Sequence, residues 1–308
     1  IQWFPGHMAK TRRKIQEDIK LVDVVAELLD ARVPQSSSNP VLRDIIQRKP
    51  KVVLLNKSDM ADPAQTSKWV SYYASQGEKA IPLESKTGKG LNAFYPTVRE
   101  VLKPQIEAWE KKGMVGRPIR VMVVGIPNVG KSTFINSFAG TTRAKAANKP
   151  GVTRGKQWIS VDNFDLMDMP GVLWKKFDSL ETASNPAFIG SIRDDILDIE
   201  ELACGLLSSV RGIYPEQLLA RYKLDESVLE LPPYDLLQAI GAKRGMLISG
   251  GEVDTERAAK MLVGEFRASK WGRLSLERPP HRDTAEEVDD YAEDDFPEDD
   301  PDFTDDED

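Results

Sequence analysis

The sequence contains little cysteine or histidine and no long apolar run. Its 308 residues include one cysteine, Cys204, and two histidines. A single cysteine excludes an intrachain disulfide, and its apolar surroundings favour a core position over a nucleophile. No segment has the length and hydropathy of a bilayer span, and the N-terminus lacks the apolar region of a signal peptide. We therefore expect a cytoplasmic protein with no membrane partner.

Basic residues are missing from the C-terminal stretch, and this hides the charge of the rest. Residues 283–308 hold 16 of the 49 acidic residues and no lysine or arginine. Residues 1–282 therefore carry 33 acidic against 42 basic residues, a net charge of +9. A basic body suits a polyanionic partner such as RNA, and an ordinarily solvated surface is the alternative. The acidic stretch is too charged and too poor in apolar residues to fold alone, so we expect a disordered tail over 279–308.

Apolar runs of strand length alternate with segments of helical periodicity in the first half of the chain. The strand-like runs are Val22 to Leu29, Lys51 to Leu55, Lys79 to Leu83 and Ile119 to Gly125, and helical periodicity covers Asn39 to Arg48 and Leu91 to Lys111. This alternation predicts an α/β domain with a mainly parallel sheet wrapped by helices. Two further runs, Gln157 to Val161 and Phe164 to Met167, are separated by two residues and predict an antiparallel hairpin at the sheet edge.

Strand patterns end near Ser184, and short amphipathic helices are predicted beyond it. Pro215 and Pro233 suit first-turn positions, and Asp254 suits the N-cap of a helix from Thr255 to Lys270. The sequence thus predicts an α/β domain over 1–183, a small all-α domain over 184–278 and the acidic tail.

A phosphate-binding loop is predicted between a strand and a helix. The octapeptide Gly125 to Ser132, GIPNVGKS, follows an apolar strand and opens a helix, which is the context such a loop requires. Its backbone N–H groups would surround phosphates at a helix N-terminus, the Lys131 ammonium would neutralise β/γ oxygens, and the Ser132 hydroxyl would face Mg²⁺. The candidate phosphate-binding residues are Asn128, Val129, Gly130, Lys131, Ser132 and Thr133.

A second motif, NKSD at residues 56–59, selects the base. The Asp59 carboxylate can accept two hydrogen bonds from guanine N1–H and the 2-amino group, which adenine cannot donate. Asn56 and Lys57 shape the loop and flank the base. Ser85 and Lys86, after the next strand, would offer backbone N–H groups to guanine O6. The sequence therefore predicts a site for GTP rather than ATP.

Two further elements point at the terminal phosphate. The segment DMPG ends a strand, and its spacing places Asp168 near Mg²⁺ through water and the Gly171 N–H near the γ-phosphate. Thr153, in the loop from Lys149 to Gly155, is the candidate hydroxyl for Mg²⁺ and γ-phosphate, and an ordinary loop threonine is the alternative. We count Lys131, Thr153 and Gly171 as candidate catalytic residues.

The order of these motifs resembles that of the circularly permuted GTPases of ribosome assembly. The base-reading motif comes first, and the phosphate loop, Thr153 and DMPG follow. The segments Trp3 to Met8, WFPGHM, and Asp30 to Pro34, DARVP, add to the resemblance, which covers about residues 1–275. It implies a circularly permuted, Ras-like P-loop GTPase domain that hydrolyses GTP to GDP with Mg²⁺.

The resemblance also implies partners. The family acts on the large (50S) ribosomal subunit, and its C-terminal helical domain binds RNA. We therefore expect a protein that binds the 50S precursor and its rRNA, promotes late assembly, leaves after GTP hydrolysis and is a monomer off the ribosome. A GTP-dependent RNA-binding or scaffolding protein with incidental hydrolysis and a signalling switch are the alternatives.

Catalysis needs a group that the motifs do not supply. Ras-like proteins orient the attacking water with a glutamine after the glycine of this motif, and Val172 stands there instead. A remote side chain, an ion or a partner's group has to replace it. The family resemblance makes His7 a candidate, the alternative being that His7 only begins a basic helix. Similarity to potassium-activated GTPases makes Asn128 a candidate K⁺ ligand.

Basic side chains in two regions are candidates for contact with rRNA phosphates. They are Lys10, Arg12, Arg13, Lys14, Arg211, Arg221, Lys243, Arg244, Arg267, Lys270 and Arg273, with Trp271 available for stacking on bases. Each of these residues alone is typical of a solvent-exposed surface. Only the family resemblance makes the whole set a candidate RNA-binding surface.

Overall fold

The computed structural model describes residues 13–141, 147–148, 158–171, 173, 180–194 and 197–280. The chain divides into two units after Arg278, and every element described below precedes that point. His7, Thr153, Val172 and the acidic stretch lie outside the described residues, as do Lys10 and Arg12.

The centre of the molecule is one mostly parallel sheet. Its strands are β1 (Val24–Asp30), β2 (Lys51–Asn56), β3 (Lys79–Pro82), β4 (Ile119–Val124), β5 (Ala147–Asn148), β6 (Trp158–Val161) and β7 (Phe164–Asp168). Their order across the sheet is β3-β2-β1-β4-β7-β6-β5. The first five strands in this order run parallel, and the last two pairings are antiparallel. The parallel sheet confirms the α/β architecture predicted from the alternating pattern.

Strand β1 is buried along its whole length because both faces of the parallel sheet are covered. Its last residue, Asp30, is in register with Asn56 at the end of β2, and Asp168 at the end of β7 is in register with Val123 of β4. The carboxyl ends of these strands therefore meet at one edge of the sheet, where ligands bind in open α/β folds.

The described helices surround the sheet and continue beyond it. They are α1 (residues 13–18), α2 (Pro34–Ser37), α3 (Pro40–Ile46), α4 (Pro63–Ser75), α5 (Phe94–Val101), α6 (Lys103–Lys111), α7 (Lys131–Thr141), α8 (Leu180–Phe188), α9 (Ile199–Ile213), α10 (Pro215–Tyr222), α11 (Pro233–Lys243) and α12 (Thr255–Arg267). Pro215 and Pro233 open α10 and α11 as predicted. Asp254 caps α12 by accepting a hydrogen bond from Arg257 N. Among the described residues, no helix combines the length and the apolar character needed to cross a bilayer.

The structure differs from the sequence prediction in three elements. The predicted hairpin forms between β6 and β7, but β5 pairs with β6, so the hairpin is not at the edge. The long helix predicted from Leu91 to Lys111 is a 3-10 turn followed by two helices, α5 and α6, because Leu102 leaves helical geometry and Pro104 has no N–H to continue the hydrogen bonds of α5. Helix α12 ends at Arg267, three residues before the predicted end.

Buried side chains of the sheet and of the C-terminal helices form one continuous core. The same cluster contains Val121 of β4, Phe188 of α8, Leu206 of α9 and Leu262 of α12. Helix α8 also runs across the predicted boundary between residues 183 and 184. The division into an α/β and an all-α domain stays a prediction, and the two regions are packed together.

Candidate nucleotide-binding site

The predicted motifs all lie at the carboxyl edge of the parallel strands. The phosphate loop connects β4 to α7, the base-reading motif begins at the end of β2, and DMPG begins at the end of β7. Ser85 and Lys86 follow β3. The strand and helix contexts expected for these motifs are therefore present.

Two glycines of the phosphate loop occupy positions where a side chain cannot fit. Gly125 has φ +155°, and a Cβ there would lie 2.6 Å from the Leu28 carbonyl oxygen. Gly130 has φ +102°, and a Cβ there would collide with Asn56 Nδ2. Asn128, with φ +62°, adopts the left-handed conformation that asparagine tolerates better than most residues. The loop is thus bent tightly against β1 and the base-reading loop.

Lys131 lies under the phosphate loop. Its Nζ donates to the carbonyl oxygens of Gly125 at 3.0 Å and Ile126 at 2.9 Å, and the residue is buried. Burial lowers the pKa of the ammonium to about 8, while the Asp168 carboxylate opposes this shift. The buried ammonium is available to phosphate oxygens, whose negative charge would restore its pKa.

Ser132 and Asp168 place two oxygen atoms beside Lys131. The Ser132 hydroxyl donates to Asp168 Oδ2 at 3.3 Å. Burial raises the pKa of Asp168, and Lys131 and Ser132 act in the opposite direction. Hydroxyl and carboxylate oxygens suit Mg²⁺, which binds through few protein ligands and the phosphates of its nucleotide. No group of three or more histidine, cysteine or acidic side chains that could hold a metal occurs among the described residues.

Asn56 joins the three loops of the site. Its Nδ2 donates to the Val129 carbonyl of the phosphate loop at 2.7 Å. Its Oδ1 accepts from the Ser85 backbone N–H at 3.1 Å and from the Ser85 hydroxyl at 2.8 Å. Both side chains are buried. Asn56 therefore ties the base-reading loop to the phosphate loop and to the loop of Ser85, a role beyond its expected place beside the base.

Lys57 and its partners show a role for the DARVP segment that the sequence pattern did not. The Lys57 Nζ donates to the Asn128 carbonyl at 2.8 Å and lies 3.1 Å from Asp30 Oδ2. Asp30 also accepts two parallel bonds from Arg32, at 2.9 and 2.8 Å, and both residues are buried. Burial alone would raise the pKa of Asp30, but the Arg32 and Lys57 cations hold it well below its usual range. An acidic residue at the end of a mostly apolar strand was the available signal.

Four of the residues expected to meet the nucleotide are open to solvent, whereas Lys131 and Ser85 are buried. Asp59, Lys86, Ser132 and Thr133 are exposed. Gly171 packs on the phosphate loop, since a Cβ there would lie 2.8 Å from Pro127 Cα. The predicted residues therefore surround one solvent-accessible edge, with buried side chains behind them.

The phosphate loop also contacts the end of helix α8. Asn128 Nδ2 donates to the Gly190 carbonyl at 2.6 Å, and the Ser191 hydroxyl donates to the Pro127 carbonyl at 2.7 Å. Arg267 of α12 in turn donates to the carbonyls of Ala187 and Phe188 at the same helix end. The nucleotide loop and the C-terminal helices are thus connected by direct hydrogen bonds.

Most candidates for RNA contact in the helical region have other partners. The stacking role of Trp271 is wrong, because the side chain is buried and donates to the Tyr222 hydroxyl at 2.8 Å. Five arginines bind backbone carbonyls or carboxylates of this chain, namely Arg211, Arg221, Arg244, Arg267 and Arg273. Arg13, Lys14, Lys243 and Lys270 are exposed. The RNA candidates in the described chain therefore narrow to these four.

Comparison with known proteins identifies the family. The family model described as 50S ribosome-binding GTPase matches residues 120–227. Ribosome biogenesis GTPase A of Priestia megaterium is 44% identical over 281 residues, which cover 91% of this chain and 97% of that protein. The Thermotoga maritima protein of the same name is 34% identical over 91% of this chain and 95% of its own length. The crystal structure of GNP-bound YlqF from T. maritima matches 88% of this chain and 98% of its own at a TM-score of 0.61 and 30% identity. Together with the motifs at the sheet edge, these matches show that the chain belongs to the ribosome biogenesis GTPase A family and hydrolyses GTP.

Proposed function

We propose that this GTPase binds the precursor of the large (50S) ribosomal subunit in its GTP form, promotes late assembly in the cytoplasm and leaves after hydrolysis. The observation that carries the proposal is the direct bonding of the phosphate loop to the C-terminal helices. Asn128 reaches the Gly190 carbonyl, and Ser191 reaches the Pro127 carbonyl. A change at the phosphates can therefore reposition the helices, and the relatives' names point to a ribosomal partner.

Circular permutation explains the order of the motifs. The base-reading strand β2 precedes the phosphate-loop strand β4 in the chain, while both occupy one parallel sheet with β1 between them. Permutation keeps such a sheet intact because it only changes where the chain begins and ends. In this order DMPG is followed directly by α8, so the switch segment leads into the helical region that we assign to RNA binding.

Each motif has a role in the proposed reaction. Lys131 neutralises the β/γ oxygens, and the hydroxyls of Ser132 and Thr153 would hold Mg²⁺, with Asp168 acting through water. When bound, the ion would neutralise phosphate charge. The Gly171 N–H stabilises the γ-phosphate as charge develops on it. Asp59 selects guanine through N1–H and the 2-amino group. The expected bond from the Ser85 N–H to guanine O6 is corrected, because that N–H donates to Asn56 Oδ1, and the Lys86 N–H takes this role.

The group that completes catalysis is His7, a K⁺ ion or a ribosomal residue. The Asn128 amide nitrogen is engaged by Gly190, which leaves its Oδ1 as the atom for K⁺. His7→Ala with unchanged ribosome-stimulated turnover would remove the histidine from the mechanism. Equal rates in potassium and sodium at matched ionic strength would remove the cation.

The rRNA contact falls to the exposed basic side chains, and the protein acts as a monomer off the ribosome. Lys243 and Lys270 lie in the helical region, and Arg13 and Lys14 lie on α1. Their charges neutralise RNA phosphates, which makes binding weaken with salt. Charge reversal at Lys243 and Lys270 is expected to reduce that salt dependence.

The test is GTP turnover with and without immature large subunits, in potassium and in sodium, with mature subunits as the control. We expect immature particles to raise turnover many-fold, and a GTP analogue to retain the protein on them where GDP does not. Unchanged turnover together with GTP-dependent RNA binding would favour a scaffolding protein. If ribosomal particles leave GTP turnover unchanged and the protein binds neither the particles nor RNA, it would be a signalling switch.

A further inference from the structure

Residues 273–278, which follow the last helix, pass the base end of the nucleotide site. We call this segment the C-terminal strap. The Leu274 N–H donates to the Met60 carbonyl at 3.0 Å, and the Leu276 N–H donates to the Arg32 carbonyl at 2.9 Å. Ser275 accepts from the Asp62 N–H at 3.1 Å. The strap therefore binds both the loop after β2 and the DARVP segment along its length.

Glu277 anchors the far end of the strap. Its carboxylate accepts from the backbone N–H groups of Gln35, at 2.7 Å, and Ser36, at 3.0 Å, at the start of α2. It also accepts from Asn185 Nδ2 of α8 at 2.9 Å. These bonds fix the strap at residues that do not belong to any nucleotide motif. The strap thus has an anchor outside the base-reading loop in addition to its bonds to that loop.

Arg273 spans the base-reading loop. Its Nη2 donates to the Ser58 carbonyl at 2.8 Å, and its Nε donates to the Ala61 carbonyl at 2.9 Å. Asp59 lies between these two carbonyls in the chain and is itself exposed. A guanidinium presents its donors in a rigid fork, so one side chain fixes the separation of both carbonyls.

The second guanine loop feels the charge of Arg273 only weakly. Burial would raise the pKa of Glu84, next to Ser85, but hydrogen bonds from Lys89 and Thr87 lower it, and the charges of Lys89 and Arg273 add to this. Asn56 joins Ser85 to the base-reading loop from the buried side. Arg273 therefore holds the base-reading loop from the exposed side, while Asn56 holds it from the buried side.

We propose that Arg273 is a positioning residue for guanine recognition, which holds the loop of Asp59 so that its carboxylate faces the N1–H and 2-amino groups of the base. This proposal rests on the assignment of Asp59 as the guanine reader. Its consequence is that the last residues of the helical region contribute to nucleotide selectivity. A change that moves the strap would then alter affinity at the base end.

The experiment compares the affinities of the full chain for GDP and IDP, because hypoxanthine lacks the 2-amino group that Asp59 reads. We expect Arg273→Met to lower the ratio of GDP to IDP affinity by about three- to tenfold. Arg273→Lys, which supplies a point charge without the fork, should give an intermediate ratio. Asp59→Asn should lower the ratio at least as much as Arg273→Met.

The matched control is Arg211→Met. Arg211 also binds two backbone carbonyls, those of Leu229 at 3.1 Å and Leu231 at 2.6 Å, but these lie in the helical region. It should leave the GDP to IDP ratio unchanged. If Arg273→Met weakens GDP and IDP equally, its role is only structural and the proposal is overturned. If Asp59→Asn leaves the ratio unchanged, the assignment of the guanine reader fails and the proposal fails with it. Thermal unfolding without nucleotide checks that each variant is folded.

Discussion

The two ends of the nucleotide site are built differently. At the base end, Asn56, Ser85, Asp30 and Arg32 are buried and share several hydrogen bonds. At the phosphate end Lys131 is buried and makes two hydrogen bonds, but the side chains of Ser132 and Asn128 are exposed and make one bond each. The base end is thus held by a buried network, and the phosphate end by separable bonds.

This difference matches what each end has to do. The base is identical in GTP and GDP, so a fixed loop loses nothing and gains selectivity by pre-organisation. The phosphates change on hydrolysis, so their contacts have to rearrange. A single hydrogen bond contributes only about 0.5–1.5 kcal/mol, which the binding or loss of a phosphate group can readily outweigh. We expect the nucleotide state to be transmitted from the phosphate end.

The largest effect is expected from Asp30→Ala, which removes the centre of the base-end network. It leaves the Arg32 guanidinium buried without its carboxylate, and this should lower the free energy of unfolding by about 3–5 kcal/mol. Urea unfolding measures the change. The exposed pair of Glu256 and Lys260 on α12 provides the control, because Glu256→Ala should leave the unfolding free energy nearly unchanged. An equal effect in the two variants would contradict the buried network.

The buried pair of Asp30 and Arg32 also makes the stability of the native protein depend on pH. The pKa of Asp30 is held below its unfolded value of about 4. Its contribution to stability is therefore present above that value and is lost as the pH falls through the folded pKa. The Asp30→Ala variant should lose less stability on acidification than the native protein, and urea unfolding at several pH values compares them.

Asn56→Ala should have the next largest effect. It removes the bonds to Val129 and Ser85 together, so GDP affinity should fall about 10- to 100-fold. Fluorescent GDP titration measures it. The exposed Asn92→Ala serves as the matched asparagine control. If both variants bind GDP alike, Asn56 does not organise the base end.

The lowered pKa of Lys131 should make GDP affinity depend moderately on pH. The pKa of Lys131 is about 8 without nucleotide, and bound phosphates should raise it. Above pH 8 the free protein has lost the Lys131 proton, so nucleotide binding has to take up one proton. GDP affinity should therefore fall by up to about tenfold per pH unit above pH 8. Calorimetry in buffers of different ionisation enthalpy measures the proton uptake. In Lys131→Arg this pH dependence should disappear, because an arginine stays protonated. A persisting slope would assign the proton to another group.

The smallest effect is expected from Arg267→Met, which loosens the end of α8 behind the phosphate loop. We expect a change of about two- to threefold in the ratio of GTP to GDP affinity and none in the ratio of GDP to IDP affinity. Arg257→Met, exposed on the same helix, is the control. A change in the GDP to IDP ratio would show that the two ends are not separable.

Local patterns were sufficient to predict the sheet and its motifs. The strands lie within two residues of the predicted runs, and each nucleotide motif follows the strand expected for it. Alternation and apolar runs report burial on strands, and a phosphate loop needs only eight consecutive residues. The short strand β5 was not predicted because two residues carry no period.

The side chains behind the motifs were not predictable in the same way. Arg273 and Trp271 share a short basic and aromatic stretch that suits RNA contact, yet Trp271 packs edge-on against Tyr222 and Phe266. Arg267 likewise binds carbonyls of α8. Composition records that a side chain is charged or aromatic and says nothing about which distant group reaches it.

The sequence by itself determined the nucleotide, the sheet and the order of the motifs, because these depend on dihedral preferences, periodicity and side chains close together in the chain. Only the tertiary structure decided that Asp30 holds Lys57 and that Arg273 holds the carbonyl of Ser58, 215 residues away. Such contacts depend on how the C-terminal helices pack on the sheet. That packing is set by the whole buried core and by no local pattern.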